Sequence, residues 1–259
     1  GNSTLEECTT ASGNVCIGDS AGQKITTNGE NVYIGLSAGR YQTGSKNVAF
    51  GYGALNGSSG ATGERNVAIG HEALLYLTSG DQNTAIGQGA LRSNTTGYRN
   101  FGLGRNALYT NTTGRDNIGI GYSALYSCNG EFNIAIGGLA GDAITSGNEN
   151  VFLGYNAGTT QTTATGNTFL GYEAGEANVT GSSNTYVGRR AGEKCTASEN
   201  TLIGSYAGYT LTSGAGNVVV GRNALLSATT GGSNIAIGVD AMEQNTTGAG
   251  NVSIGNYAL

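Results

Sequence analysis

Asn66-Val67-Ala68-Ile69-Gly70, followed three residues on by Ala73, decides how this chain is read, because the same unit recurs along almost its whole length. The pattern Asn-hydrophobic-x-hydrophobic-Gly begins at Asn14, Asn31, Asn47, Asn66, Asn83, Asn100, Asn117, Asn133, Asn150, Asn167, Asn184, Asn200, Asn217, Asn234 and Asn251. These are 15 copies, most of them 17 residues apart and the others 16 or 19. No gap is left for another domain. Residues 1–13 hold at most one degenerate copy, around Asn2-Ser3-Thr4-Leu5. A degenerate segment or cap is therefore expected over 1–13 and a repeat array over 14–259.

Each copy has an alanine seven residues after its asparagine, from Ala21 and Ala38 through to Ala258. The next residue is glycine or a large apolar group: Gly22 and Gly158, but Leu91 and Leu125. A Thr/Ser/Gly turn closes nearly every unit, as in Thr95-Thr96-Gly97. A period of 17 is too short for a helical hairpin, and Val67-x-Ile69 and Ile134-x-Ile136 alternate with the strand period of two. Their β-branched side chains favour strands. Each unit is expected to be a short strand, a glycine turn, a second short strand around the alanine, and a longer polar turn. One unit cannot bury its own apolar face, so units must stack. The expected fold class is all-β: a parallel β-solenoid, or β-roll, of about 15 coils spaced about 4.8 Å apart, on the order of 70 Å long.

This arrangement accounts for the fixed residues. The asparagines would form a ladder from coil to coil. The glycine lets the backbone turn where a side chain would clash, and the absence of proline leaves the backbone N–H groups for inter-coil bonds. On this reading valine and isoleucine fill a thin core and the third motif position points the other way. That position is small at Ala68, Ala85, Gly102 and Gly119 and large at Phe152, Phe169 and Tyr186. It is either a solvent face with drift or a face packed against sister chains. The second is favoured, because Phe152 and Phe169 exposed in adjacent coils would form an apolar stripe.

Composition bounds the function. Glycine numbers 47 of 259 residues, proline is absent, and the net charge is −5. No basic patch is present to hold phosphates, so no nucleic-acid partner is expected. No run of about 18 apolar residues exists, so no membrane insertion is expected. Cys8 and Cys16 are close enough in sequence for a small disulfide or for two thiols. Cys128 and Cys195 share a column four coils apart, roughly 19 Å, too far for one bridge or one metal site.

The units Asn66-Val67-Ala68-Ile69-Gly70 and Asn234-Ile235-Ala236-Ile237-Gly238, each followed by x-x-Ala, resemble the head repeats of trimeric autotransporter adhesins. Residues 83–97 are also similar to arrays in phage and giant-virus fibre proteins. The resemblance covers essentially the whole chain. It implies a left-handed roll, three chains around one axis, and a role in attachment. Adhesin head units tend to be shorter, and neither a heptad stalk nor membrane-anchor strands nor a chaperone domain is expected within these 259 residues.

Catalysis is not expected. The single histidine, His71, lies in a variable column with Tyr52, Gln88 and Arg105. Glu30, Asp116, Glu149 and Glu199 precede motif asparagines, but Lys46, Arg65 and Arg99 fill the same place in other coils, so a solvated turn is the reading. No cofactor or metal is expected; stacked calcium sites need an aspartate in every unit. Asn94, Asn111, Asn178 and Asn245 each begin an Asn-x-Thr sequon in one column and are candidate glycosylation sites. Tyr52, Tyr122, Tyr155 and Tyr172 follow motif glycines and suit either turn covering or recognition.

The function expected is a structural or adhesive fibre, extracellular or on a cell or virion surface. Its partners would be its own copies, as a homotrimer, and a cell-surface glycan or protein receptor. The alternative is a filament subunit assembled head to tail. Ice binding by threonine arrays is a third class, disfavoured because the Thr-Thr pairs lie in turns of variable length.

Overall fold

The structure, a computed structural model, describes residues 2–7 and 9–258. The chain divides into two compact units, residues 1–131 and 132–259. Among the described residues the first unit holds seven three-residue strands, from β1 (Val15–Ile17) to β7 (Ile118–Ile120). The second holds eight, from β8 (Ile134–Ile136) to β15 (Val252–Ile254). Within each unit the strands stack in sequence order, parallel and in register: Val67 pairs with Thr84 and Ala68 with Ala85, as Thr168 pairs with Thr185 and Phe169 with Tyr186. Each unit is thus a parallel β-solenoid with one strand per repeat.

The segment around the invariant alanine is not the second strand that alternation suggested. The residues flanking the alanine are left-handed, as at Glu72 (φ 56°) and Leu74 (φ 51°) around Ala73. The turn still carries inter-coil bonds, in opposite directions. Glu72 N–H donates to Tyr52 of the preceding coil and Leu74 N–H to Ala90 of the following one. The residue before each motif asparagine is also left-handed, including Glu30, Lys46, Arg65, Arg99, Asp116, Glu149 and Glu199. The motif glycine is fixed twice over. Gly87 has φ 130°, and a Cβ there would lie 2.6 Å from the Gly104 carbonyl oxygen of the next coil.

The asparagines form the ladder within each unit. Asn100 N–H donates to Asn83 Oδ1 at 3.0 Å, and Asn117 N–H to Asn100 Oδ1 at 3.1 Å. In the second unit Asn167 donates to Asn150 and Asn234 to Asn217 in the same way. The ladder amides that precede a closing turn also reach it, as Asn83 Nδ2 donates to the Gly97 carbonyl at 2.8 Å and Asn167 Nδ2 to that of Gly181 at 2.8 Å.

The ladder decides which way the strand faces. Side chains two apart in a strand share a side. An inward asparagine therefore brings the third motif residue inward and sends its neighbours out. Ala68, Ala85, Gly102, Gly119, Phe152, Phe169 and Tyr186 all face the interior of their own coils and cannot face another chain. Ala68 is 0% exposed, whereas Ile69 is 38% exposed. The expectation that the third residue packs against sister chains is corrected, and so is the placing of valine and isoleucine in the core.

What fills the core is the asparagine, the third residue, the alanine, the residue after the alanine, and the residue eleven after the asparagine. Two of these share one volume. Where the third residue is Ala68 or Ala85, the residue after the alanine is Leu74 or Leu91. Where the third residue is Phe152, Phe169, Tyr186 or Leu202, its partner is Gly158, Gly175, Gly192 or Gly208. A Cβ on Gly208 would come 2.9 Å from Leu202 Cδ1. The aromatic members stack along the core: Phe169 lies 4.6 Å from Tyr186 with the rings nearly parallel, and 5.4 Å from Phe152.

Length variation is confined to the closing turn. In the coil from Asn47 to Asn66, Ser58, Ser59 and Gly60 are exposed, and Ala61 returns to the interior beside Gln42. Gly57 N–H and Thr62 N–H on either side still donate to Leu75 and Thr78 of the next coil. At the other end of this unit, the segment before Asn14 stacks as the second half of a coil. Leu5 N–H donates to Ala21, Glu7 to Gln23 and Thr9 to Thr26.

Candidate functional site

The candidate glycosylation column faces inward. Asn94, Asn111 and Asn178 are fully buried, because the eleventh residue after each motif asparagine is a core position. The amide of Asn94 donates to the Gly97 carbonyl and shapes the turn that its own sequon encodes. Asn245 is half-buried, and its side chain both accepts from Gly248 N–H and donates to the Gly248 carbonyl. These asparagines are turn-forming residues, and their candidacy as glycosylation sites is corrected by the burial of Asn94, Asn111 and Asn178.

Cys128 and Cys195 each lie eleven residues after a motif asparagine, in the first and the second unit respectively, and both are buried. Burial pushes the Cys195 thiol up, and Asn200 Nδ2 approaches its sulfur at 3.6 Å. Since the thiolate is the reactive form, iodoacetamide should label neither cysteine in the native protein and both after denaturation. Peptide mass mapping checks this, and rapid native labelling at Cys195 would contradict the packing. Cys16 is half-buried, and the proposed partner in its bridge, Cys8, lies outside the described residues.

The surface residues considered for chemistry separate into small clusters. His71 is exposed and stacks on Tyr52, ring centroids 5.1 Å apart. Tyr155 stacks on Tyr172 at 5.8 Å, and the Arg105 guanidinium sits 4.9 Å from the Tyr122 ring centre. The residues before the motif asparagines pair between neighbouring coils: Arg99 binds Asp116 through two contacts of 2.7 and 2.8 Å, and Lys46 lies 3.9 Å from Glu30. These are exposed ion pairs, which contribute little to stability.

Reading the chain by motif missed two clusters in the second unit. Glu173, Glu176 and Glu193 bring carboxylate oxygens within 4.8 Å of one another. Arg190 stands among them, its Nε 2.6 Å from Glu173 and 3.2 Å from Glu193. Burial, then the charges of Glu173 and Glu193, push the Glu176 carboxyl up. A guanidinium already in place is a poor neighbour for a cation, so this is an ion-pair network. The other cluster is a shallow groove between Tyr206 and Tyr209. Both would have been visible had residues been compared six and nine places after successive asparagines.

Asp142 offers a pH test of the same surface. Burial pushes its carboxyl up, against a hydrogen bond donated by Thr159 Oγ1 at 2.6 Å. A carboxyl raised on folding destabilises the fold when ionised, and that cost disappears as pH falls through the raised value. Asp142→Asn should therefore raise the melting temperature at pH 7, with the advantage shrinking toward pH 4. A mutant less stable than wild type at pH 7 and equal to it at pH 4 would reverse the sign.

No family model, curated protein or solved structure matches the chain.

Proposed function

We propose that this chain is a non-enzymatic structural element of an attachment fibre, working outside the cell or on a virion. Three copies assemble around one axis as left-handed rolls and present their turns to a cell surface. The observation that carries the reading is the outward face of the strands. In each unit the residue after the buried strand centre is apolar in every coil and forms one apolar column, whereas the column before the centre is interrupted by Thr84 in the first unit and by Thr168, Thr185 and Thr201 in the second. Phe50, Ile69 and Leu103 are exposed in the first unit; Ile136, Leu170, Val218, Val220, Ile235 and Ile237 in the second. Apolar side chains aligned coil after coil make a continuous patch of the kind that marks an interface, unlike isolated exposed residues. A cyclic assembly buries the same face on every copy.

Light scattering tests the assembly. The 26.0 kDa chain should scatter as a species of three times that mass. Ile136→Glu with Leu170→Glu puts charges into the apolar column without touching the core, and should return it to a monomer with unchanged circular dichroism. A monodisperse wild-type monomer would remove the trimer. Long unbranched polymers in electron micrographs would replace it with the filament reading.

A further inference from the structure

We infer that Tyr155 and Tyr172 form a cross-linking site, at which a haem peroxidase and hydrogen peroxide join the two phenols into one dityrosine. The inference does not rest on the attachment reading. The two residues each lie five places after a motif asparagine, Asn150 and Asn167, in successive coils of the second unit. Their rings stack with centroids 5.8 Å apart and planes 19° from parallel. The backbone fixes that proximity. Glu173 N–H donates to the Tyr155 carbonyl at 3.0 Å, and Arg190 N–H to the Tyr172 carbonyl at 2.9 Å. Tyr155 is 48% exposed and Tyr172 43%, so an external oxidant reaches both rings. The rest of the column isolates the pair. Gly138 precedes Tyr155 in the column and Arg189 follows Tyr172, so the stack ends at two phenols. Tyr52 stacks on His71 and Tyr122 lies beside Arg105, so neither has a second phenol against it among the described residues.

The chemistry balances on the two rings and the peroxide. Each phenol loses one electron and one proton, and together these reduce hydrogen peroxide to two waters. The two phenoxyl radicals pair their electrons in a new carbon–carbon bond between ring carbons ortho to the hydroxyls. The hydrogens on those carbons then move to the oxygens, and both rings become aromatic again. The chain has lost two hydrogen atoms. A hydrogen bond to the Glu173 carboxylate pushes the Tyr172 phenol up, so its electron leaves together with a proton that this carboxylate can receive. Exposed side chains change rotamer within picoseconds to nanoseconds, which closes the remaining gap between the rings. Because the pair is already assembled, coupling within the chain outruns coupling between chains. The product staples the coil beginning at Asn150 to the coil beginning at Asn167 with a bond that denaturant does not break. Tyr109 and Tyr126 in the first unit also stack, at 5.1 Å, but both are half-buried and the Arg92 guanidinium lies over Tyr109, which makes them the slower pair.

The test treats the full chain in dilute solution with a haem peroxidase and hydrogen peroxide. Dityrosine fluorescence gives the rate, and peptide mass mapping gives the positions. The expected product is a single chain lighter by two hydrogens and linked between residues 155 and 172, formed about tenfold faster than cross-linked dimers. Tyr155→Phe and Tyr172→Phe keep the ring and remove the hydroxyl, and each should abolish this product with circular dichroism unchanged. Tyr52→Phe should leave it intact. Cross-links found only between chains, a product linking 155 and 172 that forms no faster than those dimers, or oxidation that maps to Tyr52 and Tyr122 without joining Tyr155 to Tyr172 would overturn the site.

Discussion

Leu202→Ala should destabilise the second unit by about 2–5 kcal/mol, the usual range for emptying a leucine site in a packed interior. Gly208→Leu should be at least as harmful, because its Cβ would start 2.9 Å from Leu202 Cδ1. The two together should largely cancel. The double variant gives this coil the small-then-leucine pair already present at Ala68 and Leu74, so the interior volume is nearly restored. Some strain remains, since a side chain in the left-handed region costs about 1–2 kcal/mol. Leu225 tolerates that conformation in the next coil, at φ 54°. Urea midpoints for the four proteins should yield a coupling of about 3 kcal/mol, at the upper end for residues in contact. Additive penalties would show that the two positions do not share one space.

Asn83→Ala should cost about 3–5 kcal/mol. It removes the acceptor of the Asn100 N–H and leaves that buried donor unpaired, while also deleting bonds to Gly97 and Asn66. An orphaned buried group costs about 1–3 kcal/mol, and each lost bond adds about 1 kcal/mol. Asn83→Asp separates shape from hydrogen bonding. It keeps the acceptor for Asn100 but, when ionised, sets a buried charge against the Gly97 carbonyl. Its stability should rise as pH falls, because the protonated acid can donate again. Hydrogen exchange at the Asn100 amide reports the local effect, and unchanged protection in Asn83→Ala would argue that the ladder is incidental. Neither change should propagate far in a stack where each coil contacts only its neighbours.

The repeat, its strand and the asparagine ladder were legible in the sequence, because period and residue type constrain them together. The facing of the strand was legible too, through parity. An asparagine committed to the interior fixes Ala68 and Phe152 inside and Ile69 outside, and attention to hydrophobicity alone reverses this. Glycine or leucine after the alanine and a large or small third residue were each visible as columns. Their meaning lay in reading them as a pair. The left-handed turn at Glu72 and Leu74 could not be read, since neither residue favours that conformation. Inter-coil hydrogen bonding over-determines it. The groove at Tyr206 and Tyr209 depends on residues from two coils meeting on the surface, which no single motif records.

The coil from Asn47 to Asn66 shows what the stack leaves unspecified. Ser58, Ser59 and Gly60 leave the coil, Ala61 resumes it, and the hydrogen bonds on both flanks are intact. A Cβ at Gly60 would meet nothing within 4 Å. This corner is therefore a natural graft site. A peptide epitope or a small folded module spliced in at Gly60 would be displayed at a fixed level of the stack without altering a rung, and its closure cost would grow only slowly with length.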